Sequence, residues 1–132
     1  DVKIPVLLKV SPDLNYAQLD DLLEVVEETK VDGLIATNTS VSRDNLITSK
    51  DRVDQIANGG LSGSPIHKRS CEVISYLRSK LPVEYPIIAS GGIMSADDAQ
   101  RSLEAGAQLL QLYTGFIYEG PQLIKKISKA IN

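Results

Sequence analysis

Cysteine and histidine occur once each in this chain, as Cys71 and His67. A single cysteine excludes an internal disulfide and any cysteine-based metal cluster, and its natural setting is a reducing compartment. A single histidine, with nothing nearby to complete a triad or a metal site, removes the usual anchors of zinc and nucleophilic chemistry. No apolar run approaches the roughly 20 residues needed to cross a membrane. No signal-peptide pattern opens the chain, since Asp1-Val2-Lys3-Ile4-Pro5 leads straight into an apolar run. That start, without an initiator Met, reads as the start of a fragment or a processed product. Positive charge is not in excess: the net charge is -3, and no basic, aromatic-studded patch is present, which excludes nucleic acid as a partner. Low-complexity segments and domain linkers are missing too.

What remains is an ordinary globular composition, 42% hydrophobic and 23% charged, over 132 residues, enough for one domain with a real core. Four short apolar runs stand out. Ile4-Pro5-Val6-Leu7-Leu8 ends at Lys9, and Gly33-Leu34-Ile35-Ala36 ends at Thr37-Asn38-Thr39. Pro86-Ile87-Ile88-Ala89 ends at Ser90-Gly91-Gly92, and Leu109-Leu110-Gln111-Leu112 ends at Tyr113-Thr114-Gly115. Each is followed by a stretch of helical spacing, so the order is strand, polar turn, helix, four times. Nearly continuous apolar strands are expected to be buried on both faces of a parallel sheet, joined by right-handed crossovers. Ligands collect at the C-terminal strand ends of such sheets, where all four polar motifs fall.

The helices are legible in outline. A first helix is expected from about Tyr16 to Thr29, with Asn15 as N-cap and Leu19, Leu22, Leu23 and Val26 inward. Residues 40–58 lack a periodic core face and read either as a lid or binding loop or as a disordered surface insertion. Ser64-Pro65 reads as an N-cap with proline at the first helical position, ahead of a stripe of Val73, Ile74, Leu77 and Leu81. Ser95 starts a helix with Asp97 and Asp98 in its first turn and Ala99 and Leu103 inward; Gly106 ends it. Gly120-Pro121 opens a last helix with Leu123, Ile124, Ile127 and Ile131 inward and Lys125, Lys126 and Lys129 outward.

Several residues are open to two readings. Gly91-Gly92 is either a simple turn or a place where backbone N–H groups approach an anion unobstructed, as a phosphate requires. The hydroxyls and amides of Tyr113-Thr114-Gly115 lie one strand away, and the loops after the last two strands of a (β/α)8 barrel often bind phosphate. Lys9 either snorkels to solvent or sets a fixed positive charge at the mouth of the sheet. Thr37-Asn38-Thr39 either caps a loop or orients a polar heterocycle. His67 is expected on an exposed helix face, and Cys71 as a small buried residue rather than a nucleophile.

At these motifs the chain resembles the quinone-linked, class 2 members of the dihydroorotate dehydrogenase family. The matching segments are Pro5–Leu14, Asp32–Thr39, Gly59–Pro65, Ser90–Ile93 and Leu112–Pro121, in family order along the whole chain. Val41-Ser42-Arg43 and Tyr113-Thr114-Gly115-Phe116-Ile117 favour class 2 over the soluble classes. The resemblance implies an α/β fold, the C-terminal half of a (β/α)8 TIM barrel, in which residues 1–132 are four consecutive βα units of a single FMN-binding domain. It implies FMN contacts from Lys9, Thr37, Gly63, Gly92, Tyr113 and Thr114, with Ser62 and Gly91 beside them, and hydrogen bonds from Asn38 and Thr39 to orotate. No metal is expected, from the lone cysteine and histidine. The reaction implied is oxidation of dihydroorotate to orotate in pyrimidine synthesis. A base takes the C5 proton, hydride passes from C6 to the flavin, and a quinone reoxidises it. Lys9 would favour the negative charge of the reduced flavin electrostatically. The family base is a serine in the N-terminal half, so that half is an expected partner and this piece alone is expected to be inactive. Peripheral attachment to the cytoplasmic side of a membrane is implied only through the missing N-terminal region. The rival readings are another FMN barrel of the superfamily, such as a dihydropyrimidine dehydrogenase-like domain, and a non-enzymatic phosphate-binding half-barrel.

Overall fold

A computed structural model describes residues 4–56 and 58–131. Four parallel strands lie side by side in chain order: β1 (Leu7–Val10), β2 (Gly33–Ala36), β3 (Ile87–Ser90) and β4 (Leu109–Gln111). The helices are α1 (Tyr16–Thr29), α2 (Lys50–Ile56), α3 (His67–Lys80), α4 (Ala96–Glu104), α5 (Thr114–Glu119) and α6 (Pro121–Ile131), with a 3-10 turn at Ser64–Ile66. This is the expected α/β arrangement. The lead-in at Asp1–Lys3 lies outside the described residues.

Two strands start later than their apolar runs. Pro5 has no N–H to donate, and the Val6 N–H goes to the Asp32 carboxylate at 2.8 Å, so the ladder begins at Leu7. Lys9 therefore lies within β1 rather than after it. Pro86 is excluded from β3 in the same way, although its carbonyl accepts from the Leu34 N–H at 2.9 Å. At the other end, β4 stops before Leu112.

The register aligns Lys9 with Ile35, Ile35 with Ile88, and Ile88 with Leu109. Alternation puts these four on one face of the sheet and Val10, Ala36, Ala89 and Leu110 on the other. The second face is the core: Val10, Leu34, Ala36, Ile87 and Ala89 are buried together with Leu19, Val73, Ile74 and Leu77 from the helices. The first face is not closed. Leu109 is 60% exposed, and Ile35 and Ile88 are only partly buried. The expectation of strands buried on both faces is thus met at one face only, because nothing among the described residues covers the concave side. Four parallel βα units in chain order are what part of a (β/α)8 barrel has, and in such a barrel the open face would line the interior.

Local signals explain most helix ends. Asn15 caps α1 with a capping box: its side chain accepts from the Gln18 N–H at 3.0 Å, and the Gln18 side chain accepts from the Asn15 N–H at 3.0 Å. Ser95 caps α4 by accepting from the Asp98 N–H at 3.1 Å. Ahead of α3 the expected cap is displaced onto the 3-10 turn. Gly63 holds the cap position and Ser64 is the first residue of the 3-10 turn, which lets Pro65 sit where its missing N–H costs nothing.

Three further differences have plain causes. Residues 40–58 contain α2, which buries none of its residues and so left no periodic stripe to read. The segment is pinched at its neck, where Ser40 and Leu61 exchange backbone hydrogen bonds of 3.0 and 2.7 Å. The short α5, ending at Gly120, precedes the last helix and was not foreseen. In α6, Leu123 and Ile127 are buried, but Ile124 and Ile131 are 51% and 44% exposed. The last two are turned about a quarter-circle from Leu123 at the helical repeat, off the buried stripe.

Apolar side chains thus stand exposed at both ends of the sheet, Ile4, Val6 and Leu8 by β1 and Leu109, Phe116 and Ile117 by β4. Unpaired parallel edges of this kind recruit further chain. Expressed alone, residues 1–132 are expected to self-associate. Light scattering should give a mass well above the 14.3 kDa of one chain, and a stable monomer would contradict this.

Candidate functional site

Because the four strands run the same way, their C-terminal ends share one rim. A cleft of about 340 Å³ opens there. All ten site residues singled out from the sequence line it: Lys9, Thr37, Asn38, Thr39, Ser62, Gly63, Gly91, Gly92, Tyr113 and Thr114. Ser90 and Gly115, which belong to the strand-end motifs but were given no role of their own, share the lining, and the sequence reading missed Gln111, Ile66, Ile93 and Leu112 there. Gln111 carried a readable signal, being the one polar residue in an apolar strand and falling on the open face. The others look like ordinary core or turn residues.

The glycine pair is held from behind. Gly91 and Gly92 have φ of 120° and 73°, a region costly to residues with a Cβ. A Cβ on Gly92 would fall 2.6 to 2.7 Å from the Cβ and backbone of His67 at the start of α3. The turn therefore sits directly on α3, with backbone N–H groups available at the rim. Opposite it, the Thr114 hydroxyl donates to Ser62 Oγ at 2.9 Å, tying the loop after β4 to the loop before α3. These groups come from three separate segments and converge on one region, as an anion site requires.

At the other end of the cleft stands Lys9. Among the described residues it forms no ion pair. Its charge is left available to a ligand. Asn38 is exposed at the rim; its backbone N–H donates to the Val10 carbonyl at 2.7 Å, and its side-chain oxygen accepts from the Thr39 N–H at 2.9 Å. Both bonds fix the direction of the amide. Thr37 is buried, with its hydroxyl directed behind the cleft to Ser70 and Ser90.

His67 is not the exposed residue expected from its helical position. It is buried, with Nδ1 3.4 Å from the Gly91 carbonyl and Nε2 3.6 Å from the Asp98 carboxylate. The close seat of Gly92 on α3 and the packing of α4 alongside enclose it. Cys71 Sγ also approaches Nε2, at 3.6 Å. Cysteine and carboxylate thus meet the same ring nitrogen, which is not the two-nitrogen relay of a catalytic triad. Burial also pushes the Cys71 thiol above its ordinary pKa, against a nucleophilic role. No metal-binding group of His, Cys, Asp or Glu occurs among the described residues, and no described helix is long and apolar enough to cross a membrane.

A family model described as dihydroorotate dehydrogenase matches residues 1–132. The chain is 55% identical over 127 residues to a dihydroorotate dehydrogenase (quinone) of Christiangramia forsetii, covering 96% of this chain and 36% of that protein. It is 48% identical over 122 residues to the same-named protein of Dichelobacter nodosus, covering 92% and 35%. A crystal structure of a ligand-free DHODH from Eimeria tenella superposes with a TM-score of 0.87 at 33% identity, covering 98% of this chain and 35% of that one. The chain therefore spans little more than a third of the length of these relatives.

The packing of Gly92 yields a test. Gly92→Ala is expected to destabilise the full-length protein by about 2–4 kcal/mol, since the clash is with backbone and the φ is unfavourable. Gly59→Ala, where an added Cβ meets nothing within 4 Å, should change stability by no more than about 0.5 kcal/mol. Denaturant unfolding compares the two, and equal effects would contradict the seating described.

Proposed function

The chain belongs to the dihydroorotate dehydrogenase family, and from that premise we propose that it supplies most of an FMN bed and part of an orotate site. The whole protein is then a quinone-linked oxidoreductase that converts dihydroorotate to orotate in pyrimidine synthesis. Residues 1–132 are about half of its single barrel domain, the C-terminal half. The observation that carries this reading is the convergence of all ten candidate residues, from four strand ends and the loop before α3, on one cleft.

The lining suits a flavin mononucleotide. The Gly91-Gly92 turn, with Gly63, Ser62, Tyr113 and Thr114 around it, offers amides and hydroxyls to a phosphate at one end. Lys9 offers an unpaired cation at the other, and Thr37 forms part of the floor between them. When bound, FMN would supply a hydride acceptor for C6 of dihydroorotate. Lys9 lowers the free energy of the negative charge that this transfer brings into the site. Asn38 and Thr39 hold the pyrimidine through hydrogen bonds from their amide and hydroxyl groups, which fixes C6 toward the flavin. Among the described residues the cleft lining contains no carboxylate, imidazole or thiol. The resemblance to the family implies a serine base in the N-terminal half, so the base that takes the C5 proton is assigned to the remainder of the full-length protein, as are the quinone site and the peripheral attachment to the cytoplasmic face of a membrane.

Two variants of the full-length protein separate these roles. Lys9→Ala is expected to slow flavin reduction by dihydroorotate by about 10²- to 10³-fold while changing orotate affinity little, because the charge matters most as hydride arrives. Stopped-flow reduction at the parent rate would remove Lys9 from the chemistry. Asn38→Ala should weaken orotate binding by about tenfold with FMN content unchanged. Titration showing lost flavin and intact orotate affinity would instead place Asn38 in the cofactor bed.

A further inference from the structure

The geometry points to Ser70, a residue of α3 outside the cleft lining, as a positioning residue for the cleft floor; this deepens the flavin and orotate reading and rests on it. Ser70 and Thr37 are 2% and 1% exposed. Their hydroxyl oxygens lie 2.7 Å apart, a full-strength O–H···O distance. Thr37 Oγ1 is also 3.3 Å from the Ser90 carbonyl, to which the Thr37 N–H donates as well.

Each hydroxyl has one proton to give. The arrangement that satisfies all three oxygens is a short chain: Ser70 donates to Thr37, and Thr37 donates to the Ser90 carbonyl. This chain links α3, the end of β2 and the end of β3 through two buried hydroxyls, where a lost partner is costly. Threonine is stiff at χ1, so fixing its hydroxyl also fixes its methyl and its backbone. Asn38 is the next residue, and its amide direction follows. The same serine limits the glycine turn. A Cβ on Gly91 would fall 2.4 Å from Ser70 Oγ and 2.9 Å from Thr37 Oγ1. One hydroxyl on a helix thereby sets both the pyrimidine end and the phosphate end of the cleft.

The test is a double-mutant cycle in the full-length protein, with FMN and orotate dissociation constants and the visible absorbance of bound flavin as readouts. Ser70→Ala should raise both constants by about three- to tenfold and shift the flavin spectrum, with the far-ultraviolet circular dichroism unchanged. In a Thr37→Val background the same substitution should add less than about twofold to the orotate constant, because its effect on the pyrimidine end runs through Thr37. Parent affinities and spectrum in folded Ser70→Ala, or equal losses in both backgrounds, would overturn the role. Should Ser70→Ala fail to fold, Ser70→Cys takes its place in the cycle, with non-additivity expected and additivity again overturning it. A folded parent that binds neither FMN nor orotate would overturn the flavin and orotate reading itself, before any variant is made.

Discussion

The in-register parallel ladder is the constraint on which the remaining structure depends. It brings Lys9, Ile35, Ile88 and Leu109 into one row across the sheet. Parallel strands need crossovers, so the helices collect on one side and bury Val10, Leu34, Ala36, Ile87 and Ala89. The polar residues after each strand are left together at one rim. A slip of one residue in β1 would turn Lys9 to the helix side and Val10 to the open side. A buried, unpaired lysine would then replace a core valine, which is why this register is strongly specified.

The second organising contact is the seating of the glycine turn on α3. The turn after β3 lies on the His67 backbone, and His67 in turn reaches toward Asp98 at the start of α4. Asp98 also accepts from the Met94 N–H at 3.1 Å and the Ser95 hydroxyl at 2.9 Å. The loop that is proposed to meet a phosphate is thus braced by two helices. At the opposite pole of the sheet Arg78 performs a similar task, donating to the carbonyls of Gly106 at 3.0 Å and Tyr85 at 2.8 Å and to Gln108 Oε1 at 3.0 Å. Rigid ends and an open concave face describe a unit whose interior is shaped for more chain and whose rim is already set.

Much of this was legible in the residues. The Leu19, Leu22, Leu23 and Val26 stripe and the Asn15 cap located α1 to the residue, because periodicity and capping chemistry agreed there. Strand order and the rim followed from four apolar runs with polar ends. Less was legible where the deciding contact is distant in sequence. His67 is buried by a loop 24 residues away, and Ser70 meets Thr37 across 33 residues. Neither contact leaves a local pattern. The helix at Lys50–Ile56 escaped because it buries nothing, and Ile124 and Ile131 seemed inward because a stripe's width cannot be read without knowing its neighbours. The rival reading as another flavin barrel finds no support in relatives that carry the name dihydroorotate dehydrogenase (quinone).

The proposal that one cleft at these strand ends holds FMN and orotate in the assembled barrel is open to a single decisive measurement, a crystal structure of the full-length protein grown with orotate. Expected there are the flavin phosphate on the amides of the Gly91-Gly92 turn, the Lys9 ammonium beside the flavin ring, and the orotate ring hydrogen-bonded to Asn38. Flavin density elsewhere in the molecule, or orotate held without contact to Asn38 and Thr39, would contradict it.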